Sequence, residues 1–271
     1  MLLKLIISLA VVISAVICAV SGLWLWLPLC FLGSILALTV LAFAFLWFVC
    51  QLGDPAKPQE HDSKFYRTLV MLYIEALVKV LRIHIHTKGL EKTPKEGRFL
   101  LVCNHTSDAD PVALLHCFDK SQLAFISKRE NSTMFLVGKI MPKLMCQLVN
   151  RENDREALKT ILKCIQLIKD DEVSIAVFPE GYIHDDRKLH HFRHGVFKIA
   201  TKTKVPIVVC TLKNTLQIFA NLPKLKPTEV YLNLLDVIYP EEYEGMSTVE
   251  IGEKIYQMMA DDLGPELVAQ E

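Results

Sequence analysis

From Met1 to Cys50 the only charged side chain is Lys4. A stretch that apolar folds either inside a large core or inside a bilayer, where every backbone polar group must be satisfied within the segment itself and helices are the solution for a single chain. Two spans fit, about Leu5 to Gly22 and about Leu29 to Gln51, with Ser21-Gly22 and Pro28 punctuating the middle. Trp24 and Trp26 suit a membrane interface, so residues 1–52 read as a transmembrane helical hairpin. A cleaved signal peptide is the rival for the first span, with Lys4 as a minimal basic region and Ala19 or Ser21 near a cleavage site. The second span argues against export, because it still holds the chain in the membrane. Lys57, Lys64 and Arg67 follow that span while the connection between spans has no basic residue, which places both hairpin ends and the domain after them on the cytoplasmic face.

The rest of the chain is long enough for one sizeable core. Over the whole chain 30 basic and 30 acidic residues balance, so no global field draws it to nucleic acid or anionic lipid, and attachment rests on hydrophobic area. The eight cysteines lie among apolar neighbours without a Cys-x-x-Cys pair, the pattern of buried reduced thiols.

Residues 53–63, with Pro55 and Pro58, read as a polar linker, and residues 64–271 as the domain. Lys64 to Leu81 has helical periodicity and suits either the bilayer surface or the core. Ile83-His84-Ile85-His86 alternates as a strand with one wet face. After it the pattern repeats as apolar strand, polar loop and amphipathic helix. Strands are expected at Phe99–Cys103, Leu123–Ser127, Cys146–Asn150, Ser174–Phe178, Ile207–Thr211 and Val230–Ile238. Helices are expected at Met134–Leu144, broken by Pro142, at Asp154–Ile168 with Asp154 as cap, and at Ser247–Leu263. The tail from Pro265 is expected to fray. The alternation implies an α/β fold with a largely parallel central sheet flanked by helices.

The apolar run Phe99 to Cys103 ends abruptly in Asn104-His105-Thr106-Ser107-Asp108-Ala109-Asp110-Pro111. A strand covered on both faces delivers a histidine to its tip, where ligands sit in parallel sheets. His105 and Asp110, five apart, meet only if the chain turns back, and Thr106, Ser107 and Asp108 are turn formers. A carboxylate on Nδ1 fixes the imidazole tautomer and leaves Nε2 to take a proton from a substrate hydroxyl. Asp110-Pro111 is equally an ordinary helix start, and the two roles are compatible, one carboxylate oxygen capping while the other faces the ring.

Asn104-His105-x-x-x-x-Asp110 resembles the first motif of the glycerolipid acyltransferase family, typified by 1-acylglycerol-3-phosphate acyltransferases, bacterial ones above all. Phe178-Pro179-Glu180-Gly181, Phe192-Arg193-His194-Gly195-Val196-Phe197-Lys198 and Val205-Pro206-Ile207-Val208 follow in the family's order. The resemblance covers roughly Arg82 to Thr211. It implies acyl transfer from acyl-CoA or acyl carrier protein to the free hydroxyl of 1-acylglycerol-3-phosphate, forming phosphatidate, with His105 as general base, Asp110 orienting it, no covalent enzyme intermediate and no cofactor beyond the donor.

The family continues Glu-Gly with Thr-Arg; here Tyr182-Ile183 stands there, which removes a guanidinium expected at the acceptor phosphate. Arg151 is the first substitute and Arg193 the second, with Lys128 available. Asn104, Glu180 and Gly181 complete the expected substrate site. The oxyanion is expected to meet N–H groups at the helix start after Asp110. His184, His190, His191 and His194 do not form a regular ligand spacing, and no metal is expected. The rival readings are a different lipid acceptor and a membrane-anchored lipid-binding protein with an inactive site.

Overall fold

A computed structural model describes residues 1–52 and 59–270. The linker prolines Pro55 and Pro58, and Lys57, lie outside the described residues.

Two long helices, α1 (Leu2–Ser21) and α2 (Leu27–Gln51), pack together and are joined by a tight turn carrying Trp24 and Trp26. At about 1.5 Å per residue each is long enough to cross a hydrocarbon layer. Gly22 closes α1 at φ +70°, a left-handed position that favours glycine. The buried positions of α1 are Ala10, Ser14 and Cys18, a seam of small residues one turn apart. Such seams let helices approach closely where water supplies no hydrophobic drive. The outward side chains are almost all apolar, with Leu25 at the hairpin tip 97% exposed.

Seven strands follow: β1 (Ile83–Lys88), β2 (Leu100–Cys103), β3 (Leu123–Lys128), β4 (Gln147–Val149), β5 (Ser174–Val177), β6 (Ile207–Lys213) and β7 (Thr228–Ile238). They form one sheet in the order β1-β7-β6-β2-β5-β3-β4. All neighbours are parallel except β6 and β7. Helices α3 (Lys64–Val80), α4 (Asp110–Cys117) and α5 (Val137–Lys143) are joined by α6 (Asp154–Lys169), α7 (Lys198–Thr203), α8 (Gln217–Asn221) and α9 (Thr248–Leu263).

Alternate residues of the central strands feed two cores. Leu100, Val102, Ile175 and Val177 pack beneath α6, α7 and α9. Leu101, Cys103, Phe125 and Val208 pack beneath α3 and α4. Both faces are covered, which is why these strands read as continuous apolar runs. Because β2, β5, β3 and β4 run the same way, their carboxyl ends deliver His105, Glu180, Lys128 and Arg151 to one sheet edge.

Several local expectations are corrected. Of the two placements open for the helix after the linker, α3 takes the core: Val70, Ile74 and Val78 are buried, while Tyr73 donates its hydroxyl to the Ala42 carbonyl of α2 at 2.6 Å. Arg67 is no surface cation, since its fork grips Asp62 at 2.7 and 2.8 Å and its third nitrogen reaches the Leu123 carbonyl. Asn153, not Asp154, caps α6 by accepting from Arg155 and Glu156 N–H. The tail is docked, because Leu189 exchanges backbone hydrogen bonds with Leu267 and Ala269.

Candidate active site

After β2 the chain folds back on itself around one carboxylate. Asp110 is fully buried, and its Oδ2 lies 2.8 Å from His105 Nδ1 while accepting the N–H groups of Thr106 and Ser107 at 2.8 and 2.9 Å. Its Oδ1 accepts the Thr215 hydroxyl. The helix-capping role is absent: Asp110 is the first residue of α4, and its oxygens face back toward the turn that precedes the helix. Four contacts satisfy the oxygens of this buried carboxylate and fix the imidazole it faces. The ring is also held flat against Phe178, centroids 4.0 Å apart and planes 12° apart.

Glu180, from the loop after β5, accepts His105 N–H at 2.7 Å and His190 N–H at 3.0 Å, and is 3% exposed. Burial pushes its carboxyl up to about 8, against those two hydrogen bonds. Asn104, 1% exposed, accepts Leu212 N–H at 2.7 Å and donates to the Leu212 carbonyl at 3.0 Å. Both residues spend their polar atoms on backbone, so in this structure they brace the histidine loop and do not open onto the cavity. The N–H groups after Asp110 at the start of α4 are likewise engaged, Val112 and Ala113 both on the Ala109 carbonyl while Pro111 has none, and those before it are spent too, Thr106 and Ser107 on Asp110 and Ala109 on the Ser107 hydroxyl. These are not free to meet an oxyanion.

His105 opens onto a cavity of about 980 Å³. One end is apolar, walled by Leu2, Leu3, Ile6 and Phe43 of the hairpin together with Tyr73, Ile74, Val112 and Met141. The other end carries Lys128, Arg151, Arg187 and Tyr182. Arg151 is half-buried; burial, seconded by Arg193, lowers its guanidinium below the ordinary value, opposed by Tyr182 and Glu130. Its guanidinium lies over the Tyr182 ring, 5.0 Å from the centroid. Arg193 lies over the same ring at 4.8 Å and donates to the Tyr182 hydroxyl at 2.7 Å and, at 3.4 Å, to the Arg151 carbonyl. Gly181, at φ +83°, lets the Arg193 chain pass: a Cβ there would stand 3.0 Å from its Cδ and Nε.

His184 and His190 stack at 3.7 Å, with Asp186 on His190 Nε2 at 2.9 Å. Among the described residues no group of three or more His, Cys, Asp or Glu is placed to hold a metal. Sequence reasoning passed over Thr215, 105 residues from its partner and without a local signal. It also passed over Phe178 as the platform for His105, though that residue stands inside a recognised motif, and over the hairpin's share of the cavity wall.

Residues 84–213 match the family model described as Acyltransferase. A probable 1-acyl-sn-glycerol-3-phosphate acyltransferase of Mycoplasma pneumoniae is 31% identical over 64% of this chain and 64% of its own length. A 1-acyl-sn-glycerol-3-phosphate acyltransferase of Borreliella burgdorferi is 28% identical over 60% of this chain and 66% of its own. The matched stretch thus spans a little under two thirds of each relative. The crystal structure of the 1-acyl-sn-glycerophosphate acyltransferase PlsC from Thermotoga maritima shares the fold, with a TM-score of 0.61 and 22% identity, covering 96% of this chain and 95% of that one. By its motifs, its sheet and this match, the chain carries a domain of the Acyltransferase family over residues 84–213.

Proposed function

We propose that the protein transfers a fatty acyl group from a thioester donor, acyl-CoA or acyl carrier protein, to the free hydroxyl of 1-acylglycerol-3-phosphate, forming phosphatidate. The observation that carries the reading is His105, paired with Asp110, opening onto a cavity whose wall is apolar along the hairpin and elsewhere carries Lys128, Arg129, Arg151 and Arg187 beside Asp108, Glu130 and Glu152. With Nδ1 committed to Asp110, Nε2 is the nitrogen left to accept the hydroxyl proton. The hydroxyl oxygen attacks the thioester carbonyl, the tetrahedral intermediate collapses with loss of the C–S bond, and the imidazolium returns its proton to the departing thiolate. The nucleophile comes from the substrate, so the triad logic runs without an acyl-enzyme and without a cofactor.

The relatives' names support the acceptor, and the cavity supports it physically. Acyl chains suit the wall formed by Leu2, Leu3, Ile6 and Phe43, and a phosphate monoester suits the end holding Arg151 and Lys128. The hairpin holds this cavity against the bilayer in which lysolipid and product reside. The lack of basic residues between the spans, with Lys64 beyond them, supports a cytoplasmic position for the domain.

Tyr182-Ile183 in place of Thr-Arg favours a second reading, acylation of a different lysophospholipid. Purified protein given labelled acyl donor and a panel of lysolipids separates the two. Fastest use of lysophosphatidate supports the first, and faster use of a neutral or zwitterionic lysolipid replaces it with the second. No acylation of any lysolipid leaves a membrane-anchored lipid-binding protein.

A further inference from the structure

We propose that Tyr182 is a positioning residue for the acceptor's phosphate: its ring carries the Arg151 guanidinium at the cavity, and Arg193 locks the ring in place. This rests on the reading of the acceptor as a phosphate monoester.

Arg151 is the first candidate for the missing cation and Arg193 the second, and the two stand differently in the structure. Arg193 is already spent, since its nitrogens are bonded to the Tyr182 hydroxyl and the Arg151 carbonyl, and its stem lies across Gly181. Arg151 is the opposite case. It lines the cavity, and among the described residues its guanidinium has no hydrogen bond to an acceptor and no ion pair; its partner is the face of the Tyr182 ring.

Stacking and hydrogen bonding use different parts of a guanidinium. The ring takes the flat face, while the five N–H groups lie in the plane and stay free for a bidentate oxyanion. A long arginine side chain otherwise loses rotamer entropy when a ligand fixes it, so a partner that holds it beforehand improves binding. The second guanidinium against the same ring adds positive potential that a phosphate relieves. Tyrosine at position 182 therefore does in this chain, through Arg151, what an arginine at position 183 does directly in the family's Thr-Arg arrangement.

The test uses the purified full-length protein with lysophosphatidate and a thioester donor, comparing the wild type with Tyr182→Leu, Tyr182→Phe, Arg151→Ala and the double variant Tyr182→Leu/Arg151→Ala. Tyr182→Leu is expected to raise the acceptor KM about five- to tenfold, with donor KM and kcat at saturating acceptor moving less than about threefold. Tyr182→Phe keeps the ring under Arg151 but loses the hydroxyl that Arg193 holds, and its acceptor KM is expected between that of wild type and that of Tyr182→Leu. If Tyr182 acts through Arg151, Tyr182→Leu adds less than about twofold in the Arg151→Ala background, the mark of coupled residues. Full additivity overturns the proposal, as does an Arg151→Ala defect that Tyr182→Leu does not share. So does a Tyr182→Leu loss spread equally over kcat and both KM values, which marks a folding role. Should Arg151→Ala itself leave lysophosphatidate use untouched, the phosphate reading of this end of the cavity falls, and the role of Tyr182 falls with it.

Discussion

Glu180 and His105 come from strands 75 residues apart and meet through backbone and side chain: the Glu180 carboxyl accepts the His105 N–H at 2.7 Å. That contact ties the Phe-Pro-Glu-Gly loop to the histidine loop and fixes the peptide from which the imidazole projects. The same carboxyl accepts from His190 farther along its own loop, so two loops share one buried anchor.

Glu180 makes stability depend on pH. Its folded value, about 8, lies above its ordinary 4.5, so between those values the folded chain binds more protons than the unfolded one. Stability therefore falls as pH rises from about 5 to 8. His61, raised by its hydrogen bond to Glu172, contributes in the same direction near neutrality. Glu180→Gln removes the Glu180 part, so its melting temperature should change less across pH 5–8 than that of the wild type. It should also be less stable overall by about 1–3 kcal/mol, because the two oxygens of the carboxyl each accept a backbone N–H and an amide offers only one oxygen. Thermal melts of both proteins at four pH values check the slope and the offset together.

Asp110→Asn should lower kcat by about 10²–10⁴ with the acceptor KM moving far less, since a neutral amide neither fixes the tautomer nor stabilises the imidazolium. Steady-state kinetics on detergent-purified protein decide it. A loss under tenfold contradicts the assigned role.

Thr215→Val keeps the shape and removes the hydroxyl that Asp110 Oδ1 accepts. One hydrogen bond to a buried charge contributes about 1.5–3 kcal/mol, so the variant should melt lower and lose part of its kcat. Asp110 keeps its bonds to His105, Thr106 and Ser107, and the loss should stay well short of that in Asp110→Asn. Equal damage from both would place Thr215 in the chemistry itself.

Leu25→Cys at the hairpin tip and Lys88→Cys in the domain should label with an impermeant maleimide from opposite sides of sealed vesicles. Labelling of both from one side removes the spanning hairpin.

The sheet was legible because strands buried on both faces are written as unbroken apolar runs, as at Phe99–Cys103 and Ser174–Phe178. The turn between His105 and Asp110 was legible because Thr106, Ser107 and Asp108 are turn formers. What escaped depended on distant partners. Thr215 has no local mark that ties it to Asp110. Arg67 reads as a surface cation until Asp62 and the Leu123 carbonyl are found around it. Leu158 and Leu162 fit the apolar stripe of α6 yet stand 45% and 54% exposed, while Ile161, Ile165 and Ile168 of the same helix are buried. The tail was expected to fray because its pairing partner, Leu189, lies some 80 residues upstream within a loop.

The central claim is that His105 is the base that deprotonates a lysolipid hydroxyl. Its most direct test is the acylation of lysophosphatidate by purified wild type and His105→Ala, with circular dichroism and membrane partitioning recorded for both. The expected result is a kcat reduced by at least about 10²–10⁴ in a variant that stays folded and membrane-bound. A folded His105→Ala protein that turns over lysophosphatidate at near the wild-type kcat contradicts the mechanism.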